Sequence, residues 1–268
     1  MAPNVENAKK YLSSIAGLGG KHAQYSAAYT VTNENLRHAY GFMPKNTENL
    51  LTITGSGDHA MFAALYGAKN IDTFDISYNA KCIMDIKTVA LHVLDREEYE
   101  KLLYDLWSAV YVLDVKNMEK IFDKLPDEEQ KYLIDMRGKF LFNHGLANYK
   151  KCLLPTDTEY AQMREKINTS FNFIWSDAVS IHHHLNKTYD FVHLSNIFDF
   201  LDEDDRMYVL ANIMKYIKPN GIICFQNFKS KPASLWGYCD MLEQENKEKW
   251  NIGKSKQEPM LYVLQRVR

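Results

Sequence analysis

Short apolar segments alternate with amphipathic ones in the first third of the chain. Residues 50–53 form an apolar run that leads into a turn with two glycines, and residues 59–66 have the character of a helix. A second strand-like run closes on Asp75, and apolar residues then recur at helical spacing from Asn79 to Leu94. This order predicts a strand–helix–strand unit followed by another helix.

The same alternation returns in the second half of the chain. The predicted elements there are strands at Phe171–Trp175, Tyr189–Ile197, Ile222–Asn227 and Met260–Leu264, a helix at Asp202–Ile217 and a break at Lys218–Gly221. Strands that alternate with helices favour a parallel sheet whose ligands bind at the carboxyl ends of the strands. The sequence therefore predicts an α/β fold with a Rossmann-like, doubly wound, mostly parallel sheet.

The long segment between the second and third predicted strands is too long for an ordinary connection between a helix and a strand. We expect a single α/β domain over residues 1–268, with an N-terminal helical segment at 1–45 and a helical insertion at 96–165. In the N-terminal segment, Thr32 or Asn33 is a candidate cap for a short helix. The insertion could cover the active-site face or could simply add packing bulk.

Composition excludes several classes of protein. The formal net charge is −2 and no basic stripe is present, so we expect no nucleic-acid partner. The four cysteines are scattered without a C-x-x-C pair, which indicates neither a zinc ribbon nor a disulfide framework. The first twenty residues lack the apolar core of a signal peptide, and no apolar run approaches the roughly 20 residues of a membrane span. A cytoplasmic location is therefore expected.

The glycine turn and the acid after it are the strongest functional signal. Gly55 and Gly57, with Ser56 between them, would let the backbone turn sharply and approach a ligand. Asp75, at the end of the second strand, is placed to accept hydrogen bonds from a ribose diol, although it could also cap the following helix. The dinucleotide motif G-x-G-x-x-G would need glycine where Ala60 stands.

These residues resemble the class I S-adenosylmethionine (SAM)-dependent transferases over most of the chain. Gly55–Asp58 is similar to the glycine-rich first motif of that superfamily, and Asp75 stands where its ribose-binding acid stands. Ser176 and Asp177 look like the third-strand acid that holds the adenine amino group. The segment Lys218–Ile222 is similar to the proline–glycine turn before the fifth strand.

A narrower resemblance is carried by three segments. Residues 54–60 (TGSGDHA), 75–81 (DISYNAK) and 189–201 (YDFVHLSNIFDFL) resemble the diacylglycerol 3-amino-3-carboxypropyltransferases of betaine-lipid synthesis and their uncharacterised relatives. The resemblance implies transfer of the aminocarboxypropyl arm of SAM, rather than its methyl group, with release of 5′-methylthioadenosine. The implied acceptor is a small molecule or lipid-like, and no metal is expected.

The predicted site residues fall into two groups. The SAM-binding group consists of Tyr29, Gly55, Ser56, Gly57, Asp75, Ile76, Ser176, Asp177 and Ser195. The catalytic group is predicted at the carboxyl end of the strand that begins at Tyr189, and it consists of Ser195, Asn196 and Asp199. Asn196 could instead be a turn residue at the strand end, and Asp199 could cap the helix that follows it.

Some residues support more than one interpretation. Tyr25 and Tyr29 could close over the amino-acid arm of SAM and Arg37 could bind its carboxylate, although core packing and a surface ion pair are equally good interpretations. The run 182–184 consists of three histidines, but adjacent side chains point in different directions and rarely converge on one ion.

The alternatives to aminocarboxypropyl transfer use the same nucleotide-type site. They are methyl transfer to a small molecule, cyclase or lyase chemistry on the same arm of SAM, and a SAM- or nucleotide-binding module without chemistry. For a lipid-like acceptor, Leu103, Trp107, Val110 and Tyr111 could present an apolar face to a membrane. That helix lacks a strongly basic opposite face, so peripheral membrane contact is not favoured. The sequence gives no indication of the oligomeric state.

Overall fold

A computed structural model of the protein describes residues 30–108, 112–135, 154–167, 171–227, 250–254 and 260–267. The chain divides into two compact units. The first consists of Met1–Asn33, Thr54–Met61 and Asp75–Trp175, and the second of Glu34–Ile53, Phe62–Phe74 and Ser176–Arg268. The predicted contributions of Tyr25 and Tyr29 lie outside the described residues.

Strands and helices alternate as predicted. The strands are β1 Asn49–Ile53, β2 Asn70–Asp75, β3 Asn172–Trp175, β4 Tyr189–His193, β5 Ile217–Asn227, β6 Trp250–Lys254 and β7 Met260–Arg266. The α-helices in the described residues are α1 Leu36–Tyr40, α2 Asp58–Leu65, α3 Tyr78–Val93, α4 Arg96–Ser108, α5 Met118–Ile121, α6 Asp127–Asp135, α7 Asp157–Lys166 and α8 Glu203–Ile213. Helices α4 to α7 lie between α3 and β3, in the part of the chain where the helical insertion was predicted.

Six strands of the second unit form a mostly parallel sheet in the order β2-β1-β4-β5-β7-β6. Strand β1 is parallel to both β2 and β4, β4 is parallel to β5, and β7 is antiparallel to β5 and β6. The strand order reverses between β1 and β4, and ligands of open α/β sheets bind at such a reversal. The sheet confirms the predicted α/β, Rossmann-like fold class.

The core of this sheet explains why β1 and β4 are continuous apolar runs. Leu50 and Leu51 of β1 are completely buried, as are Phe191 and Val192 of β4. Consecutive residues of a strand point to opposite faces, so both faces of these strands are covered. Sequences of this kind do not alternate between apolar and polar positions.

In the first unit, α6 contacts α3 through polar as well as aromatic side chains. The hydroxyl of Tyr132, on α6, donates a 2.7 Å hydrogen bond to the side chain of Asn79. Lys81 donates to Asp85 over 2.7 Å and also to Glu129 of α6. Glu129 is fully buried, and burial and the nearby Asp85 carboxylate raise its pKa.

Two predicted boundaries are wrong. Helix α1 is capped by Asn35, whose side chain accepts from the backbone N–H of His38, and not by Thr32 or Asn33. The strand predicted to begin at Tyr189, β4, ends at His193 instead of Ile197 because Ser195 adopts a left-handed backbone, with φ of 54°.

The break predicted at Lys218–Gly221 is also wrong, because these residues belong to β5. The strand register shifts opposite the start of β4, and Asn220 has a φ of 63°, so the turn-forming residues make a bulge inside the strand. A Cβ at Gly221 would lie 2.9 Å from the carbonyl oxygen of Lys218. The helix before it, α8, ends at Ile213 and is followed by a 3-10 turn at Met214–Tyr216.

Candidate functional site

The glycine turn and Asp75 meet in the first unit. The backbone N–H of Gly55 donates a 2.9 Å hydrogen bond to one carboxylate oxygen of Asp75, and the N–H of Ser77 donates a 2.9 Å bond to the other. Gly55 has a φ of 53° and Gly57 a φ of 79°, backbone conformations in which glycine has the lowest cost. The fold therefore places the turn and the acid together.

The carboxyl group of Asp75 is buried, and this changes its acidity. Burial raises the pKa of Asp75 to about 6, although the N–H groups of Ser77, Gly55 and Ile76 offset part of this rise. Each carboxylate oxygen has more than one acceptor position, so the two backbone bonds leave capacity for further donors. Ile76, the next residue, is half-buried. Asp75 does more than hold the start of α3, since its second oxygen reaches the glycine turn.

Gly57 is required for packing against α3. A Cβ at this position would lie 2.7 Å from the Cα of Met84 and 2.9 Å from its Cβ, which is closer than side chains approach in proteins. At Gly55 the nearest atom to an added Cβ would be the ring carbon Cδ2 of His59, at 3.9 Å. An added Cβ at the first glycine would thus make only an ordinary contact, while the absence of a Cβ at the second allows α3 to approach the loop.

A buried lysine, which the sequence analysis did not single out, fixes the turn from behind. Lys87 of α3 is fully buried, and its ammonium group donates to the carboxylate of Asp58 and, over 3.0 Å each, to the carbonyl oxygens of Thr30 and Ser56. The other oxygen of Asp58 accepts from the N–H of Thr32 and from the hydroxyl of Ser56, both over 2.7 Å. Burial lowers the pKa of Lys87, and the Asp58 carboxylate opposes this.

Ser56 therefore has a structural role in the described contacts. Its side chain and its carbonyl both belong to the anchor around Asp58 and Lys87, and only 2% of it is exposed. A lysine inside a helical pattern usually lies on the solvated face, so Lys87 carried no signal in the sequence.

An aromatic cluster lies beside the residues that follow Asp75. The indole N–H of Trp175, at the end of β3, donates a 2.8 Å hydrogen bond to the carbonyl oxygen of Ile76. The ring of Tyr78 lies 6.0 Å from Trp175, 6.1 Å from Phe173 and 4.7 Å from Tyr132. The ends of β2 and β3 are thus adjacent within the first unit.

Ser176 and Asp177, predicted to hold adenine, begin the next segment of the second unit. One carboxylate oxygen of Asp177 accepts a 2.7 Å bond from the N–H of Ser180, and the other accepts from its hydroxyl over 3.3 Å. The hydroxyl of Ser176 donates to the carbonyl of Asp177 over 3.0 Å. Both side chains therefore make local turn contacts, and their assignment to adenine stays a prediction.

The predicted catalytic residues lie together in the second unit after β4. The hydroxyl of Ser195 contacts the side-chain oxygen of Asn196 at 3.2 Å and also hydrogen-bonds to the carboxyl group of Glu34. Asn196 starts the 3-10 turn Ile197–Asp199, which agrees with its alternative interpretation as a turn residue. The cap of α8 is Asp202, whose side chain accepts from Asp205, so Asp199 is not the helix cap.

Glu34 is the residue of this cluster that the sequence did not reveal. It is 2% exposed, and burial raises its pKa to about 8 even though the bond from Ser195 lowers it. Its sequence neighbourhood, Asn33 and Asn35, is typical of a helix start, and nothing in that pattern connects it with a residue 161 positions later. Arg37, one turn further on, lies with its guanidinium 5.4 Å from the ring centre of Phe62.

The histidine run forms a 3-10 turn at Ile181–His183. The Nδ1 atom of His182 hydrogen-bonds to the carbonyl of Val179 at 2.9 Å, and its Nε2 atom lies 3.3 Å from the hydroxyl of Tyr208. These contacts occupy both nitrogens of His182.

Membrane contact through the apolar face of α4, which the sequence did not favour, is not supported where the structure describes that face. Leu103 of α4 is only 1% exposed, and Val110 and Tyr111 lie outside the described residues. Among the described residues, no helix combines the length and the apolar character needed to cross a membrane.

No protein-family model matches this chain, and no curated protein sequence matches it. Solved structures similar to it include an rRNA methylase from Streptococcus thermophilus, with 10% identity, a TM-score of 0.46 and coverage of 88% of this chain and 99% of that one. The N-methyltransferase NodS from Bradyrhizobium japonicum, in complex with S-adenosyl-L-homocysteine, has 8% identity, a TM-score of 0.42 and coverage of 99% and 100%.

TehB from Haemophilus influenzae has 10% identity and a TM-score of 0.43, with coverage of 87% of this chain and 62% of that one. At these identities and TM-scores, similarity does not transfer a function to this chain.

Proposed function

We propose that this protein is a SAM-dependent transferase that moves the 3-amino-3-carboxypropyl group of SAM to a nucleophilic acceptor. The observation that carries the SAM assignment is the contact between Gly55 and Asp75. This contact connects the glycine turn with a buried carboxylate at the end of β2. A carboxylate at the end of this strand, beside a glycine turn, is the arrangement that binds a ribose diol.

The first unit offers suitable groups for the donor. Asp75 would accept hydrogen bonds from the ribose hydroxyls with its remaining acceptor positions, and Ile76 would contribute apolar surface beside it. The turn at Gly55, where an added Cβ would meet only an ordinary contact, would lie against the amino-acid arm, and the anchor formed by Lys87 and Asp58 holds that turn in place. When bound, SAM supplies three carbons activated by its sulfonium, and alignment of the acceptor selects among them.

The choice of the aminocarboxypropyl arm rests on the resemblance of residues 54–60, 75–81 and 189–201 to aminocarboxypropyltransferases. The proposed acceptor is a small molecule or a lipid-like molecule with a nucleophilic atom. The balanced charge of the chain supports an acceptor other than nucleic acid. Ser195, Asn196 and Asp199 are proposed to serve the acceptor.

Isothermal titration calorimetry with SAM, S-adenosylhomocysteine and NAD tests the donor assignment. Saturable binding of SAM and S-adenosylhomocysteine without binding of NAD is expected, because the turn lacks the third glycine of the dinucleotide motif. A protein that binds NAD but not SAM would contradict the proposal. Binding of SAM without turnover, over a range of acceptor pools, would instead support a binding module.

A further inference from the structure

A chain of buried polar groups lies at the carboxyl end of β4. The carboxyl group of Glu34 hydrogen-bonds to the hydroxyl of Ser195, and its other oxygen lies 3.9 Å from the Nε2 atom of His193. The Nδ1 atom of His193 accepts a 3.1 Å hydrogen bond from the N–H of Ser195. Because Nδ1 is an acceptor, a neutral His193 carries its proton on Nε2, on the side of Glu34.

The hydroxyl of Ser195 has one proton but two neighbouring acceptors. It contacts Oε1 of Glu34 and, at 3.2 Å, the side-chain oxygen of Asn196. A protonated Glu34 satisfies both contacts, since its carboxyl group donates to Ser195 and Ser195 then donates to Asn196. An ionised Glu34 instead accepts a hydrogen bond from the hydroxyl of Ser195. The same atoms therefore support two protonation states: Glu34 carries one more proton in the first, and the hydroxyl of Ser195 donates to a different acceptor in each.

The surroundings of Glu34 favour an equilibrium between these states near neutral pH. Burial raises the pKa of Glu34 to about 8, with the bond from Ser195 lowering it and the charge of Asp199 raising it further. Other titratable groups of the second unit that face it include His193 on β4, Tyr40 on α1 and Cys224 on β5. A base with a pKa close to the working pH is the most effective one in general acid–base catalysis.

We propose that Ser195 and Glu34 together remove the proton of the acceptor during group transfer, with Ser195 touching the acceptor and Glu34 acting behind it. As the nucleophile of the acceptor bonds to the γ-carbon, the bond from that carbon to sulfur breaks and sulfur keeps the electron pair as a neutral thioether. The acceptor proton passes to the oxygen of Ser195, whose own proton passes to the carboxylate of Glu34. Charge is balanced, because the sulfonium and the carboxylate are both neutralised.

The backbone at Ser195 is consistent with a functional demand on this side chain. Ser195 has a φ of 54°, an unusual conformation for a residue other than glycine. Ser195 is 6% exposed, and Asn196 beside it is half-buried. Among the connected polar groups His193, Glu34, Ser195 and Asn196, the end at Asn196 is therefore the one nearer to the surface. Strained conformations of this kind concentrate at functional sites. This inference rests on the proposed function, since it assigns the proton of that reaction.

The test is the pH dependence of 5′-methylthioadenosine release from SAM in the presence of a cell extract that supplies the acceptor. For the wild type we expect the rate to rise about tenfold per pH unit and to level near pH 8. Glu34→Gln should lose this rise and at least about 100-fold of the rate at pH 8, while the affinity for SAM measured by calorimetry stays within about twofold. Glu34→Asp should restore the rise at a lower rate, which a purely structural role would not predict.

Glu48→Gln is the matched control, because it makes the same change at a carboxylate that is 51% exposed in the same unit. It should keep the wild-type profile. If the wild type releases the product and Glu34→Gln keeps its pH profile, the role of Glu34 is wrong and the proposed function stands. If the wild type releases no 5′-methylthioadenosine, the proposed function fails, and the assigned proton step fails with it.

Discussion

Asp75 shows how one buried carboxylate can hold together the backbone around a proposed ligand site. Its two oxygens hold the N–H groups of Gly55 and Ser77, so the glycine turn and the start of α3 are fixed relative to the same side chain. Loss of its charge would therefore affect binding more than it affects the apolar core.

We expect Asp75→Asn to weaken the binding of SAM by about 100-fold, since charge-assisted hydrogen bonds contribute about 1.5–3 kcal/mol each. Isothermal titration calorimetry measures this directly. Asp123→Asn, an equivalent change at an exposed position of the same unit, should leave the affinity unchanged. Affinity retained within twofold in Asp75→Asn would remove Asp75 from the donor site.

The acidity of Asp75 leads to a separate prediction. Since burial raises its pKa to about 6, the group is largely protonated at pH 5 and largely ionised at pH 7. Ribose hydroxyls donate better to the ionised form, so the affinity for SAM should rise between pH 5 and pH 7 and then level. Titrations at half-unit pH steps would show this, and Asp75→Asn should remove the dependence. An affinity that falls over the same range would contradict the assignment.

At the scale of elements, the strand–turn–helix–strand unit was predictable because its signals are local. Apolar runs, a glycine turn and helical spacing are read from neighbouring residues, and they located β1, α2, β2 and α3. The contact of Asp75 with the turn followed from the carboxyl ends of parallel strands meeting at one edge.

Features that depend on distant partners were not predictable. Lys87 and Glu34 acquire their roles from Asp58 and Ser195, which the pattern around each residue does not reveal. The turn residues at Lys218–Gly221 were interpreted as a break, but strand pairing overrode this local preference and produced a bulge. Strand β6 was missed because Trp250–Lys254 contains a glycine and charged and amide side chains, and its pairing with β7 defines it.

Because α3 lies close to the glycine turn, we expect Gly57→Ala to lower the free energy of unfolding more than Gly67→Ala does. Gly57→Ala should lower the free energy of unfolding by about 2–4 kcal/mol, because the new Cβ both clashes with Met84 and strains a left-handed backbone. Gly67→Ala is the control, since Gly67 has a φ of 99° but no atom within 4 Å of a Cβ. Urea denaturation should show the smaller loss for Gly67→Ala. Equal losses would mean that the backbone alone matters at Gly57.

At the scale of the whole molecule, several buried carboxyl groups should make stability depend on pH. The pKa of Glu34 is raised from 4.5 to about 8 and that of Asp75 from 3.8 to about 6, and that of Glu129 is raised as well. At a pH between the ordinary pKa of such a group and its raised pKa, the folded protein holds a proton that the unfolded chain has released. The free energy of unfolding should therefore fall as the pH rises from 5 to 8, by at most about 1.4 kcal/mol per pH unit for each group.

Urea denaturation at pH 5.5, 6.5, 7.5 and 8.5 would measure this slope, and Glu34→Gln should make it shallower while Glu48→Gln should not. A free energy of unfolding that rises over this range would show that these carboxyl groups are not buried in their neutral form.

The central claim concerns which carbon of SAM reacts, and the adenosine product identifies it most directly. The purified protein would be incubated with SAM and a cell extract, and the released adenosine species quantified by mass spectrometry against a heat-inactivated sample. The proposal predicts 5′-methylthioadenosine that depends on active protein and is lost in Asp75→Asn. Protein-dependent S-adenosylhomocysteine in its place would establish methyl transfer and contradict the proposed aminocarboxypropyl transfer.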